Sequence, residues 1–154
     1  MDQHREHAAR PADRAPAACP FDTVRHGIWV WLAPAGTIRI PVRARFAYDR
    51  LDPCAVRVSF CPPHQPQVTW IFARDLLADG LCFPVGAGDI HIAPDGGPTG
   101  ANVRITLSPP SGAALIEVRR AAVRDFLRAT ERLVPRGREE IDIDAFLAEC
   151  VEEG

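Results

Sequence analysis

Four groups of residues have the types and spacing that carry chemistry. Cys61 and His64 stand at the C-x2-H spacing of a metal-ligand pair, but they bracket Pro62 and Pro63 and no second pair lies at ligand spacing. A core cysteine beside a loop histidine explains them better than zinc. Gly86-Ala87-Gly88 looks like the start of a phosphate-cradling loop, yet it precedes a strand pattern and lacks a Gly-Lys-Ser/Thr ending, which leaves a turn. Asp49, Asp52, Asp75, Asp79 and Asp89 offer carboxylates for acid–base work, but all five fall where strands or a short helix end, the usual positions of capping and turn acids. No nucleophile, base and orienting group share a pattern, so no catalytic set is found and no small-molecule substrate is expected.

The fourth group is basic. Arg39, Arg43, Arg45, Arg57 and Arg104 lie on the polar side of alternating runs with Trp29 and Trp31 nearby, a pairing of guanidinium and indole that suits single-stranded nucleic acid. A solvated sheet face explains the same residues, and a formal charge of -2 gives the whole chain little pull on a polyanion. Nucleic acid is therefore the lesser reading. The net value conceals an asymmetry: Glu139 to Gly154 holds seven acids and no base, leaving 13 acids against 18 arginines before it, a balance of +5.

These groups must be held by one fold, because 154 residues suffice for one core and 47% hydrophobic residues are enough to build it. Residues 1–22, with Pro11, Pro16 and Pro20 and no apolar period, read as a mobile extension, and 23–154 as a single domain. No apolar run approaches the ~20 residues of a membrane span, and the charged N-terminus does not resemble a signal peptide, so a cytoplasmic chain is expected. Its five cysteines then read as reduced thiols packed like small hydrophobes.

Period-two runs predict about seven strands: Ile28 to Leu32, Thr37 to Tyr48, a hairpin of Val56 to Phe60 with Val68 to Phe72, then Asp89 to Ala93, Asn102 to Ser108 and Ala113 to Val118. In the second run Ile38 shares the apolar side with Ile40, Val42, Ala44, Phe46 and Tyr48, and Pro41 implies a bulge or an edge. Trp70 and Phe72 should face the core. Ala73 to Asp79 reads as a short helix that Gly80 ends in a left-handed conformation. Val123, Phe126, Leu127, Thr130 and Val134 give the period of a helix from about Ala121 to Leu133, closed by Pro135 and Gly137, and Asp144 caps a last helix through Val151. Mainly antiparallel strands with a short central helix and two C-terminal helices make an α+β fold.

One resemblance runs through roughly residues 24 to 150. Phe46-Ala47-Tyr48-Asp49 with Asp52-Pro53, then Trp70-Ile71-Phe72-Ala73-Arg74-Asp75-Leu76-Leu77 through Gly80, resemble the SsgA-like proteins, the sporulation and cell-division regulators of actinomycetes. It continues through Gly86, Gly88 and Asp89, Ser108-Pro109, Gly112, and Pro135 with Gly137. An arginine-only composition, typical of a GC-rich genome, agrees. The resemblance implies a Whirly-like fold assembled as a homotrimer, with no enzyme activity and no cofactor. It implies partners among cell-division proteins, such as FtsZ or other SsgA-like proteins, and work at the division septum.

The run Ile28 to Leu32 is apolar on both faces, with Trp29 and Trp31 opposite Ile28, Val30 and Leu32. The tryptophan face is covered either by the long helix of the same subunit or by a neighbour.

Overall fold

A computed structural model describes residues 22–34, 38–96, 100–109 and 112–140. Residues 1–21 of the expected extension and the helix expected from Asp144 lie outside the described residues. Eight strands are described: β1 (Thr23–Pro34), β2 (Ile40–Asp49), β3 (Asp52–Cys61), β4 (Val68–Ala73), β5 (Val85–Ala87), β6 (Ile90–Asp95), β7 (Asn102–Leu107) and β8 (Ala114–Arg119). Two helices accompany them, α1 (Arg74–Gly80) and α2 (Arg120–Leu133). All strands join one antiparallel sheet in the order β4-β3-β2-β1-β8-β7-β6-β5. Two four-stranded meanders thus meet where β1 pairs with β8.

Alternation sets which side of the sheet is buried. Val42, Ala44, Phe46 and Tyr48 of β2, Val56, Val58 and Phe60 of β3, Val103, Ile105 and Leu107 of β7, and Ile116 and Val118 of β8 all point to one face. Both helices lie on that face. α1 connects the two end strands of the sheet order and touches β3, β4, β5 and β6, so the sheet curves around it. α2 packs on the middle pair, β1 and β8, with Val123, Phe126 and Leu127 inward. Phe126 meets His26 and Phe46 edge-on, with ring centroids 5.6 and 5.5 Å apart, the geometry that aromatic quadrupoles favour.

The structure departs from the sequence reading at several points. There is an eighth strand, β5, where a turn is expected at Gly86-Ala87-Gly88. Val85–Ala87 pairs in register with Ile90–Ile92, and Gly88, at φ +59°, supplies the tight connection. Three residues at a sheet edge carry too little apolar alternation to announce a strand. Ile38 is 74% exposed and precedes β2, so the apolar side of that strand begins at Ile40. β1 starts at Thr23, five residues before the apolar run, because backbone pairing from Thr23 to Leu32 with β2 needs no apolar side chain. Pro41 marks no bulge: β1 and β2 pair without interruption through it, and it lies beyond the last β3 partner at Arg43, where β2 is locally an edge. The register shift is at Ala47 to Asp49 instead.

The cysteines also differ from expectation. Cys54, Cys61 and Cys82 are all exposed, since they stand at strand ends or after α1 and not on the inward positions.

Gly80 closes α1 as expected, but not in a left-handed conformation. The positive-φ glycines among the described residues are Gly88, Gly96, Gly112 and Gly137, and the residue after α1, Leu81, is right-handed at φ -71°. The requirement is steric. A Cβ on Gly80 would sit 2.2 Å from Ile92 Cγ2 and 2.6 Å from its Cβ, so glycine lets α1 lie directly on β6. Gly80→Ala should therefore already destabilise the fold, by about 1–3 kcal/mol, through overpacking, and Gly80→Val should cost more. Thermal unfolding checks this; an alanine variant that melts like the parent would refute it.

Candidate functional site on the outer face of the sheet

Family-motif residues concentrate at one structural joint. Arg74, the first residue of α1, is 1% exposed. Its Nη1 donates to the carbonyls of Val134 (2.7 Å) and Thr130 (3.3 Å) at the end of α2, and its Nη2 donates to Glu139 Oε1 at 2.5 Å. Its guanidinium carbon stands 4.8 Å from the Tyr48 ring centroid. Gly137, at φ +85°, turns the chain so that its N–H meets Glu139 Oε2 at 2.7 Å. The Arg74 hydrogen bond, aided by these backbone donors, holds the Glu139 carboxyl below its ordinary value. Burial pushes the Tyr48 phenol up to about 12, with Arg74 pulling the other way; its hydroxyl donates to the Pro53 carbonyl at 2.9 Å.

Most other motif residues have comparable structural work. Asp49 Oδ1 accepts the Leu51 N–H at 2.9 Å and closes the β2–β3 turn. Asp75 and Asp79 both accept from Arg136, at 3.0 and 3.3 Å. The Asp89 carbonyl accepts from Ser108, and the Pro109 carbonyl from Gly112. Gly86 leaves room for the His91 ring, 2.5 Å from where a Cβ would stand. Trp70 and Phe72 pack against the core as expected. His64 is exposed and Cys61 Sγ contacts Gln67 at 3.5 Å. Among the described residues no three His, Cys, Asp or Glu side chains cluster closely enough to hold a metal.

The outer face of the sheet carries a different set. Trp29 is 63% exposed and Trp31 49%, so α2, which lies on the opposite face, does not cover them. Each indole carries a guanidinium: Arg43 lies 5.5 Å from the Trp29 ring centroid and Arg39 5.6 Å from that of Trp31. Gly27 makes the first arrangement possible, because a Cβ there would stand 2.6 Å from Arg43 Nη2. A groove of about 220 Å³ runs over Arg25, Gly27, Arg43, Arg45 and Cys61. Beside it, sharing Arg25 and Arg45, a trough of about 450 Å³ continues past Arg57, Ser59 and Thr69 toward Asp49 and Asp52. Burial raises the Asp52 carboxyl, Arg57 opposes that, and Asp49 adds to it.

The five arginines named from the sequence thus divide. Arg43, Arg45 and Arg57 share the trough and its groove, whereas Arg39 pairs with Glu117, and Arg104 with Asp95 at 3.1 Å. Arg25 was missing from the set; its signal was the alternation Arg25, Gly27, Trp29, Trp31, visible once β1 is extended back to Thr23. The fold is of α+β class, and its open polar face with two exposed indoles is a surface suited to contact.

Comparison with known proteins gives the family. Residues 42–139 match the family model described as Streptomyces sporulation and cell division protein, SsgA. The chain is 40% identical over 129 residues to the sporulation-specific cell division protein SsgB of Frankia casuarinae, covering 82% of this chain and 90% of that protein. It is 44% identical over 117 residues to the protein of the same name in Salinispora tropica, covering 73% and 81%. Among solved structures, an SsgA-like sporulation-specific cell division protein from Thermobifida fusca superposes with a TM-score of 0.74 at 36% identity, covering 83% of this chain and 95% of that one. A structure from work on SsgB mutations and longitudinal cell division in Streptomyces coelicolor gives 0.69 at 40% identity, covering 76% and 92%. The chain belongs to the SsgA family of actinomycete sporulation and cell-division proteins, which are non-enzymatic regulators.

The joint around Arg74 makes two predictions. Arg74→Met should destabilise the fold by about 1–3 kcal/mol, because it leaves the Val134 and Thr130 carbonyls without their buried donor. Glu139→Gln should lower stability at neutral pH, and the gap from the parent should close on acidification. A depressed carboxyl contributes fully above its unfolded value, near 4.5, and loses that contribution as pH falls through the lower folded value. Denaturant unfolding between pH 7 and pH 3 checks both.

Proposed function

We propose that this protein is an adaptor of sporulation-specific septation, working in the cytoplasm at the division septum as a homotrimer. It recruits or positions the FtsZ division machinery, or directs wall remodelling, through contacts with FtsZ or with other SsgA-like proteins. The observation that carries this reading is the exposure of Trp29 and Trp31 on a sheet face that the two described helices leave open. Large indoles beside arginines are the side chains that dominate protein contacts. Among the described residues no helix is long and apolar enough to cross a membrane, so the reading needs a partner to bring the protein to the septum. The names of the relatives, sporulation-specific cell division proteins, support the same setting.

A trimer would present three such faces, and multivalent display tightens binding without new contacts. A fluorescent fusion in sporulating hyphae should form ladders at septa. Trp29→Glu and Trp31→Glu should each abolish the ladder and shift light scattering from trimer toward monomer, while circular dichroism keeps the strand signal. A parent that scatters as a monomer at tens of micromolar overturns the trimer. A diffuse nucleoid pattern with salt-dependent single-strand binding overturns the adaptor in favour of a nucleic-acid regulator.

A further inference from the structure

Arginines without a carboxylate partner are common on this surface; Arg124, Arg128 and Arg132 along α2 form no ion pair among the described residues. The arginines of the outer trough differ in that they converge. Strand register sets Arg25 of β1 and Arg57 of β3 on either side of Ala47 of β2, with Arg45 at the preceding outward position of β2. Two strand spacings, about 10 Å, separate the flanking pair, and the floor between them is a methyl group. All three arginines line the one hollow of about 450 Å³. A cleft concentrates the field of like charges, whereas arginines on a convex helix face diverge into solvent.

Donors at this end are left over. The Arg57 Nε, like those of Arg74 and Arg120, is shielded from solvent with no hydrogen-bond partner, and of the three only Arg57 lines the trough. Ser59 lies beside Arg45 in the register, and its hydroxyl pairs with that of Thr69 at 2.9 Å. One O–H of such a pair is used within it, so the other remains to donate. Guanidiniums and a hydroxyl around a small floor suit a phosphoryl group, whose oxygens accept from several directions at once. The opposite end of the trough is acidic. Asp49 follows Ala47 by two residues, roughly 7 Å along β2, and Asp52 lines the trough with it. One Asp49 oxygen is taken by the Leu51 N–H, and the remaining carboxylate oxygens can accept from a ligand.

We infer that the trough binds a ribonucleoside phosphate, with its phosphoryl group over Ala47 among Arg25, Arg45 and Arg57 and its ribose hydroxyls on Asp49 and Asp52. The ligand must be anionic at one end and a donor of hydrogen bonds at the other, because a plain polyanion laid along the trough would meet the two aspartates. A 5′-phosphate followed by the 2′- and 3′-hydroxyls of ribose has that polarity over that span, and carboxylates are the usual acceptors of ribose hydroxyls in nucleotide sites. The volume lies within the ~300–1,000 Å³ of small-molecule sites. The ligand is held and not converted, in keeping with a family of non-enzymatic regulators. The inference does not rest on the adaptor reading, whose tests concern Trp29 and Trp31.

The test is a magnetic-resonance titration of the full isotope-labelled chain with AMP and, separately, GMP. At least one of them should shift the Ala47, Asp52 and Arg57 amides along a saturating curve while those of Arg124 and Arg128 stay in place. The 2′,3′-dideoxy form of that nucleotide should bind about tenfold more weakly, the worth of a hydrogen bond to a charged group, and inorganic phosphate should bind more weakly still. Ala47→Leu fills the floor without altering a charge and should abolish binding, as should Arg25→Gln with Arg57→Gln, whereas Arg124→Gln with Arg128→Gln should leave it unchanged. The dideoxy and phosphate comparisons use the parent chain, so the test survives a variant that folds poorly. The inference is overturned by the absence of any saturating shift, by shifts shared equally with α2, by a dideoxy nucleotide or inorganic phosphate that binds as tightly as the ribonucleotide, or by a folded Ala47→Leu variant that binds like the parent. An oligothymidylate that binds more tightly than either nucleotide and moves the Trp29 and Trp31 signals makes the outer face a nucleic-acid site instead.

Discussion

One buried guanidinium ties the fold together. Arg74 sits where β4 becomes α1, and from that point it holds the last carbonyls of α2, the Glu139 carboxylate beyond them and the face of Tyr48 on β2. Unsatisfied carbonyls at a helix end and a buried cation each destabilise a protein, and here they satisfy one another. α1 links the two ends of the sheet order and α2 lies on its middle, so fixing one helix to the other fixes the curvature of the sheet. Gly80 completes the arrangement by letting α1 rest on β6 at backbone distance.

Because the joint takes both described helices to the inner face, neither covers the outer one. The sheet then separates its duties by side. Motif residues such as Tyr48, Arg74 and Gly80 maintain shape from within. Trp29, Trp31 and the trough arginines are held outward by the same strand alternation that buries Ile28, Val30, Phe46 and Val58. A protein that acts by contact needs this division, since its partner surface can change without disturbing the core.

Electrostatics divides the outer face further. Beside β8 and β7, Glu117 and Asp95 neutralise Arg39 and Arg104. Over β1, β2 and β3, Arg25, Arg43, Arg45 and Arg57 form no such ion pair among the described residues. Two kinds of surface therefore lie side by side, an aromatic one at the indoles and a cationic one in the trough.

The sequence by itself determined the strands with clear alternation, both described helices, the inward placement of Trp70 and Phe72, and the outward placement of the arginines. Each follows from a period that one element expresses locally. The family was legible too, because its motif lies in one unbroken stretch around Trp70 to Gly80. Tertiary structure decided what depends on neighbours. β5 exists because β6 offers it an edge, Gly80 is needed because Ile92 lies beneath it, and Cys54, Cys61 and Cys82 are exposed because they lie near strand ends or after α1. Likewise, alternation marks Arg39, Arg43, Arg45, Arg57 and Arg104 alike, and the sequence cannot tell which are matched. That distinction rests on Glu117 and Asp95, which only strand pairing brings beside Arg39 and Arg104.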